Sequence, residues 1–200
     1  MLYLFIFESI MNKFSNKYNI NSTRLKYWDY GSDGVYYVTI CIKNREHVFG
    51  EIENNKMIYS EIGAYADKCW NEIPLHFPIC FLDEYIIMPD HIHGIIIIDK
   101  KKDRNIEKIL ATQASQFEQL KLKKDFKTKN KFGTQSQNLG SIIRGYKTAI
   151  TTYSTIQNKR FFWQRLFHDR ILRTIKDYCI VKTYIKNNPI NWNDDDDFFL

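Results

Sequence analysis

One run of fourteen residues, Tyr85-Ile86-Ile87-Met88-Pro89-Asp90-His91-Ile92-His93-Gly94-Ile95-Ile96-Ile97-Ile98, constrains this chain more than any other. It is apolar on both sides of Pro89-Asp90 and reads as two β-strands, 79–88 and 91–98, joined by a tight turn. Side chains alternate faces along a strand, so His91 and His93 emerge on the same side, about 7 Å apart by the strand rise. The nearly continuous aliphatic pattern of the second strand belongs to a central strand covered on both faces. Among isoleucines, each neutral imidazole still carries a donor and an acceptor that need partners. Two arrangements supply them: a shared metal ion, or bonds to backbone or water at the edge of the core.

At 200 residues the chain fits one domain with a substantial core. Hydrophobic residues at 44% and aromatics at 16% exclude a disordered chain and leave many rings for packing or for stacking on bases. A net charge of +6 suits a polyanionic partner such as nucleic acid. Cys41, Cys69, Cys80 and Cys179 form no CxxC pair, so a zinc ribbon or redox motif is not expected and the thiols should be reduced and mostly buried. The apolar opening 1–7 is interrupted by Glu8, has no basic flank and is too short to span a bilayer, which makes a cytoplasmic, membrane-free protein the expectation.

The chain divides into an N-terminal basic, aromatic arm (1–30), one domain (31–192) with a polar insertion at about 99–138, and an acidic tail (193–200). In the arm, Arg24 and Lys26 can hold phosphates while Tyr27, Trp28 and Tyr30 can stack on unpaired bases; a structural wrap is the alternative. Strands are expected at 35–42, near 47–52 and at 57–59, with a hairpin turn at Asn54-Asn55. Ser60 should cap a helix that carries Ile62, Tyr65, Ala66, Cys69, Trp70 and Ile73 on one face until Pro74 stops it. The insertion has no steady period and reads as partly helical or disordered, exposed and basic. A second helix, capped by Ser141, places Ile142, Ile143, Tyr146, Ala149, Ile150 and Tyr153 inward and Arg144 and Lys147 outward. An aromatic connection or short strand (161–172) leads to a last helix at about 176–188, ended by Pro189.

On that last helix Tyr184 and Asn188 are four residues apart and project from one face. A phenol can attack a phosphodiester when a metal polarises the phosphate, and His91, His93 and the Asn188 amide oxygen are a set able to hold one. Sequence alone favours the plainer alternative, in which Tyr184 is core filler and Asn188 a helix C-cap before Pro189. Tyr146, between Arg144 and Lys147, competes as the nucleophile, since cations there favour a phenolate or bind phosphates.

The ordered series resembles the single-tyrosine HUH transposases, in particular the REP-associated branch. His91-Ile92-His93 after Met88-Pro89-Asp90 is similar to the His-hydrophobic-His motif. Arg24-Leu25-Lys26 with Asp29-Tyr30, the stretches 34–42 and 47–52, and Leu139-Gly140-Ser141-Ile142-Ile143-Arg144-Gly145-Tyr146-Lys147 resemble the earlier blocks. Trp163-Gln164-Arg165, Phe167-His168-Asp169-Arg170-Ile171-Leu172-Arg173, and Tyr184-Ile185-Lys186-Asn187-Asn188-Pro189 with Trp192 resemble the distal ones. The likeness runs from about residue 24 to 192. Arg170 stands where the family frequently has His, and the insertion is the least family-like part.

The resemblance implies an α+β, ferredoxin-like antiparallel sheet with packed helices. It implies a DNA transposase acting on single-stranded, hairpin-containing DNA, as monomer or homodimer, with Mg2+ or Mn2+ held by His91, His93 and Asn188. Tyr184, with Tyr146 as the alternative, would form a 5′-phosphotyrosine without ATP. Arg24, Lys26, Tyr27, Trp28, Arg144, Lys147 and Arg173 would contact DNA. Two other readings are a host-adopted, non-catalytic nucleic-acid-binding protein of the same fold and a metal-dependent hydrolase that uses water.

Overall fold

The computed structural model describes residues 25, 27–122 and 137–192, the side chains of Lys121 and Leu122 aside. Arg24, Lys26, most of the arm and the acidic tail lie outside the described residues. Among the described residues there are six strands: β1 (Gly34–Cys41), β2 (Gly50–Glu53), β3 (Lys56–Tyr59), β4 (Cys80–Ile87), β5 (His91–Ile98) and β6 (His168–Leu172). The helices are α1 (Glu61–His76), α2 (Ile106–Leu122), α3 (Leu139–Ile156) and α4 (Ile175–Asn187).

The main sheet has the order β4-β5-β1-β6, and each neighbouring pair is antiparallel. Setting aside the β2–β3 ribbon, α2 and the final α4, the chain runs β1-α1-β4-β5-α3-β6, which is the ferredoxin-like α+β arrangement with β5 and β1 at the centre. All eight residues of β5 are buried, as its unbroken apolar run requires.

Alternation along β5 sorts the molecule into two layers. Ile92, Ile96 and Ile98 pack with Trp70 of α1 and Ile142, Ile143 and Tyr146 of α3. Ile95 and Ile97 pack on the other face with Val181 and Ile185 of α4. Gly94 lies on the first face, where a Cβ would come within 2.2 Å of the Trp70 ring. The absent side chain is what lets the indole approach the central strand this closely.

Among the local expectations, the Asn54-Asn55 hairpin turn is present and several others change. Residues 46–49 stay out of the ribbon, because the Phe49 amide donates to Pro89 O and its carbonyl accepts from Ser60 N. The ribbon turns at Asn54-Asn55, both at positive φ (50° and 59°), as a tight two-residue hairpin demands. Pro74 does not end α1; the helix runs to His76 and closes with Phe77 N donating to Ile73 O. Asn138, not Ser141, caps α3, and Ser141 returns the bond to complete a capping box.

Within the insertion, α2 is not a solvent-exposed element. It buries Ile109, Leu110, Gln113 and Phe117, and Gln113 Oε1 accepts from Val35 N at 3.1 Å. Phe117 joins one core and Ile109 and Leu110 the other, so α2 lies across a margin of the sheet. No helix of the described residues is long and apolar enough to cross a membrane.

Candidate metal and nucleophile site

His91 and His93 lie side by side on the α4 face of β5, their ring centroids 4.6 Å apart. Both are at most 1% exposed. The turn before β5 supplies the partner of the first: the Asp90 carboxylate accepts from His91 Nδ1 at 2.6 Å. Asp90 is itself 1% exposed and ion-paired to Arg45. Strand β1 supplies the partners of the second. Thr39 is the Cα partner of His93, and its hydroxyl lies 2.9 Å from Nδ1, with the Tyr37 hydroxyl at 2.8 Å.

Both Nδ1 atoms are therefore engaged, His91 by a carboxylate and His93 by two hydroxyls. A carboxylate holding the far nitrogen of an imidazole is the arrangement that fixes tautomer and ring orientation at metal-binding histidines. His93 is held well below the ordinary histidine range, first by burial, then by the charges of His91 and Arg45. It stays neutral, the form in which an imidazole binds a metal.

From the C-terminal end of the chain, α4 brings the phenol to this pair. Tyr184 Oη lies 3.4 Å from His93 Nε2, and the rings meet near edge-on at 5.3 Å. The helix is seated by Val181 and Ile185 in the core and by polar clamps to β4. Tyr178 donates to Asp83, Lys182 Nζ reaches Asp83 at 2.7 Å, and Lys186 Nζ lies 3.3 Å from Glu84.

Asn188, one turn beyond Tyr184, is wholly buried at the end of α4, where its N–H donates to Ile185 O. One further turn on, Trp192 stacks over His91 with centroids 6.0 Å apart. Along the chain Asn188 thus falls between Tyr184, which meets His93, and Trp192, which stacks on His91. Among the described residues no three His, Cys, Asp or Glu side chains gather as a metal site. A donor set of two imidazoles and one carboxamide oxygen is a mixed N/O set of the kind that suits a divalent ion with open positions.

The sheet separates the two candidate nucleophiles. Tyr146 is 3% exposed on the opposite face, donates to Ala66 O at 3.1 Å and meets Trp70 edge-on. Burial, then the nearby Cys69 and Asp67, push its pKa well above the ordinary phenol value, so the cations flanking it in sequence produce no phenolate.

The arm residues divide as well. Tyr27 is exposed, but Trp28 is 2% exposed and stacks on Phe117 of α2 at 4.2 Å, with its indole N–H donating to Tyr36. Tyr30 is also buried, so neither ring is free to stack on a base. The Arg173 guanidinium lies 4.0 Å from the Phe117 ring centre. Arg144 is exposed on α3, whereas Lys147 donates to the carbonyls of Gln164 and Leu166.

Asp90, Tyr37, Thr39 and Trp192 are the site residues that sequence reasoning passed over as participants. Asp90 was adjacent in sequence. Tyr37 and Thr39 were reachable only through the β1–β5 register.

Together these features define an α+β protein whose central strand presents a histidine pair to a tyrosine helix. A solved structure of the same fold is that of a REP-associated tyrosine transposase bound to a REP hairpin, with a TM-score of 0.53 and 16% identity over 86% of this chain and 74% of that one. No protein-family model matches the sequence. The chain belongs to the family of an uncharacterized protein from Haemophilus influenzae, which is 38% identical over 187 residues spanning 90% of this chain and 97% of that protein.

Proposed function

We propose that this protein is a single-tyrosine DNA strand transferase that cuts single-stranded, hairpin-containing DNA and holds the cut end covalently. The observation that carries the reading is the 3.4 Å approach of the Tyr184 phenol to His93 Nε2, on a ring whose Nδ1 lies within 2.9 Å of the Tyr37 and Thr39 hydroxyls. The shared fold with a hairpin-bound transposase supports it, as does the carboxylate behind His91.

In this reading Tyr184 Oη gives up its proton to solvent and attacks the scissile phosphorus. The new bond is a 5′-phosphotyrosine; the bond broken is the one to the 3′-oxygen, which leaves and takes a proton. A 3′-hydroxyl later attacks the phosphotyrosine and restores a phosphodiester, so one transfer is divided into two of similar energy and no nucleotide triphosphate is needed. His91, His93 and Asn188 would hold Mg2+ or Mn2+, which supplies charge stabilisation to the phosphate oxygens. Asp90, Thr39 and Tyr37 orient the imidazoles, and α4 fixes the line of approach of the phenol.

The test is incubation with hairpin-bearing single-stranded DNA and Mn2+, denaturation, and a search for a protein–DNA adduct. An adduct that maps to Tyr184 and vanishes in Tyr184→Phe is expected. Cleavage without an adduct would replace this reading with water-based hydrolysis; tight binding without cleavage would leave a non-catalytic DNA-binding protein.

A further inference from the structure

An exposed aromatic ring on a rigid mount lies beside the histidine site and takes no part in the chemistry above. Phe162 is 69% exposed, while its neighbours Phe161 and Trp163 turn inward and meet Phe49 edge-on and tilted at 6.3 and 5.8 Å. Extended backbone alternates its side chains, so burying those two rings drives Phe162 out.

The segment is tied to the end of β1 at successive points. Lys43 N donates to Phe162 O at 2.8 Å, Ile42 forms a β-bridge with Trp163, and Gln164 N donates to Cys41 O at 2.9 Å. Trp163 Nε1 donates to Thr151, and Lys147 closes the loop through Gln164 O and Leu166 O. An exposed ring held this firmly loses little freedom when something covers it.

Its surroundings are cationic. Lys43 Nζ stands 5.9 Å from the Phe162 ring centre, and Arg160 and Arg165, both exposed, flank the segment. The site is close by: Cys41 is the Cα partner of His91, and Lys43 is two residues further along. Ile42 is extended, and Lys43 follows it as the first residue of a 3-10 turn (43–45), two residues beyond Cys41.

We propose that Phe162 and Lys43 form a stacking step for one unpaired nucleobase and its phosphate on the DNA strand flanking the histidine site. Charge complementarity selects the occupant: a lone apolar ring among cations suits a base with an anionic backbone and not an apolar protein surface. The step gives sequence-tolerant affinity, because every base offers a π-face. It rests on the reading of the site as a DNA strand-transfer centre.

The experiment titrates single-stranded hairpin oligonucleotides, each with 2-aminopurine at one flanking position, into the wild-type protein, Phe162→Leu, Phe162→Trp and Lys43→Ala. In the wild type and Phe162→Trp, one position is expected to show quenching. Phe162→Leu, still apolar, should lose that quenching and bind on the order of tenfold more weakly, with Mn2+ affinity and thermal midpoint unchanged. Lys43→Ala should weaken binding and flatten its salt dependence.

If the wild type captures DNA and Phe162→Leu matches it in affinity and quenching, the stacking step is wrong and the transferase reading stands. If Phe162→Leu changes only the sedimentation behaviour, the ring is a self-association contact and the proposal fails. If the wild type binds no single strand, both readings fall.

Discussion

Thr39 and His93 face each other across the two central strands, and the threonine hydroxyl lies 2.9 Å from the imidazole Nδ1. With Tyr37 at 2.8 Å, it presents the ring so that Nε2 meets Tyr184. Partners of this kind behind a metal-binding imidazole typically change affinity by about 10- to 100-fold. Thr39→Val combined with Tyr37→Phe is expected to weaken Mn2+ binding within that range, measured by titration calorimetry. Each single change should cost less, because the other hydroxyl remains.

Tyr146→Phe separates the two tyrosines. It removes a buried hydrogen bond to Ala66 O, so urea unfolding should show a loss of about 1 kcal/mol. Adduct formation should be unchanged, since the ring lies across the sheet from the histidines. Loss of the adduct in Tyr146→Phe with its retention in Tyr184→Phe would reverse the assignment.

Gly94→Ala tests the contact between the central strand and α1. A methyl group 2.2 Å from the Trp70 ring forces the strand or the indole to move, with an expected loss of about 1–3 kcal/mol in urea unfolding. Adding Trp70→Phe should recover part of the loss that Gly94→Ala causes; recovery of nothing would mean the strand, not the indole, absorbs the strain.

Stability should fall on the alkaline side through buried thiols. Burial pushes the Cys80 thiol up to about 11 from an ordinary value of 9.0. Above pH 9 the unfolded chain loses this proton while the folded chain keeps it, so the folded state binds more protons and ΔG of unfolding declines as pH rises toward 11. The full contribution is present below pH 9, and roughly 2 kcal/mol is at stake. Cys80→Ala should flatten the pH dependence of the urea midpoint over this window relative to wild type.

Much of the scaffold is legible because its signals are local. The apolar run through residues 91–98 reveals a doubly covered strand, the spacing of Ile62, Ala66, Trp70 and Ile73 reveals α1, and Asn54-Asn55 reveals a hairpin turn. The misreadings have a common cause. Trp28 and Tyr30 sit in a polar, basic stretch, and their burial depends on Tyr36 and on Phe117 of α2, far along the chain. α2 itself lacked a clear period because its apolar residues serve two cores at once.

The sequence by itself determined that two imidazoles share one side of a buried strand and that a phenol and a carboxamide share one side of a late helix, since both follow from fixed backbone periods. Only the tertiary structure decided that these two sides face each other, that Thr39 and Tyr37 stand behind His93, and that Tyr146 is left on the far face. Strand register and helix docking come from contacts between residues tens of positions apart, and no local period encodes them.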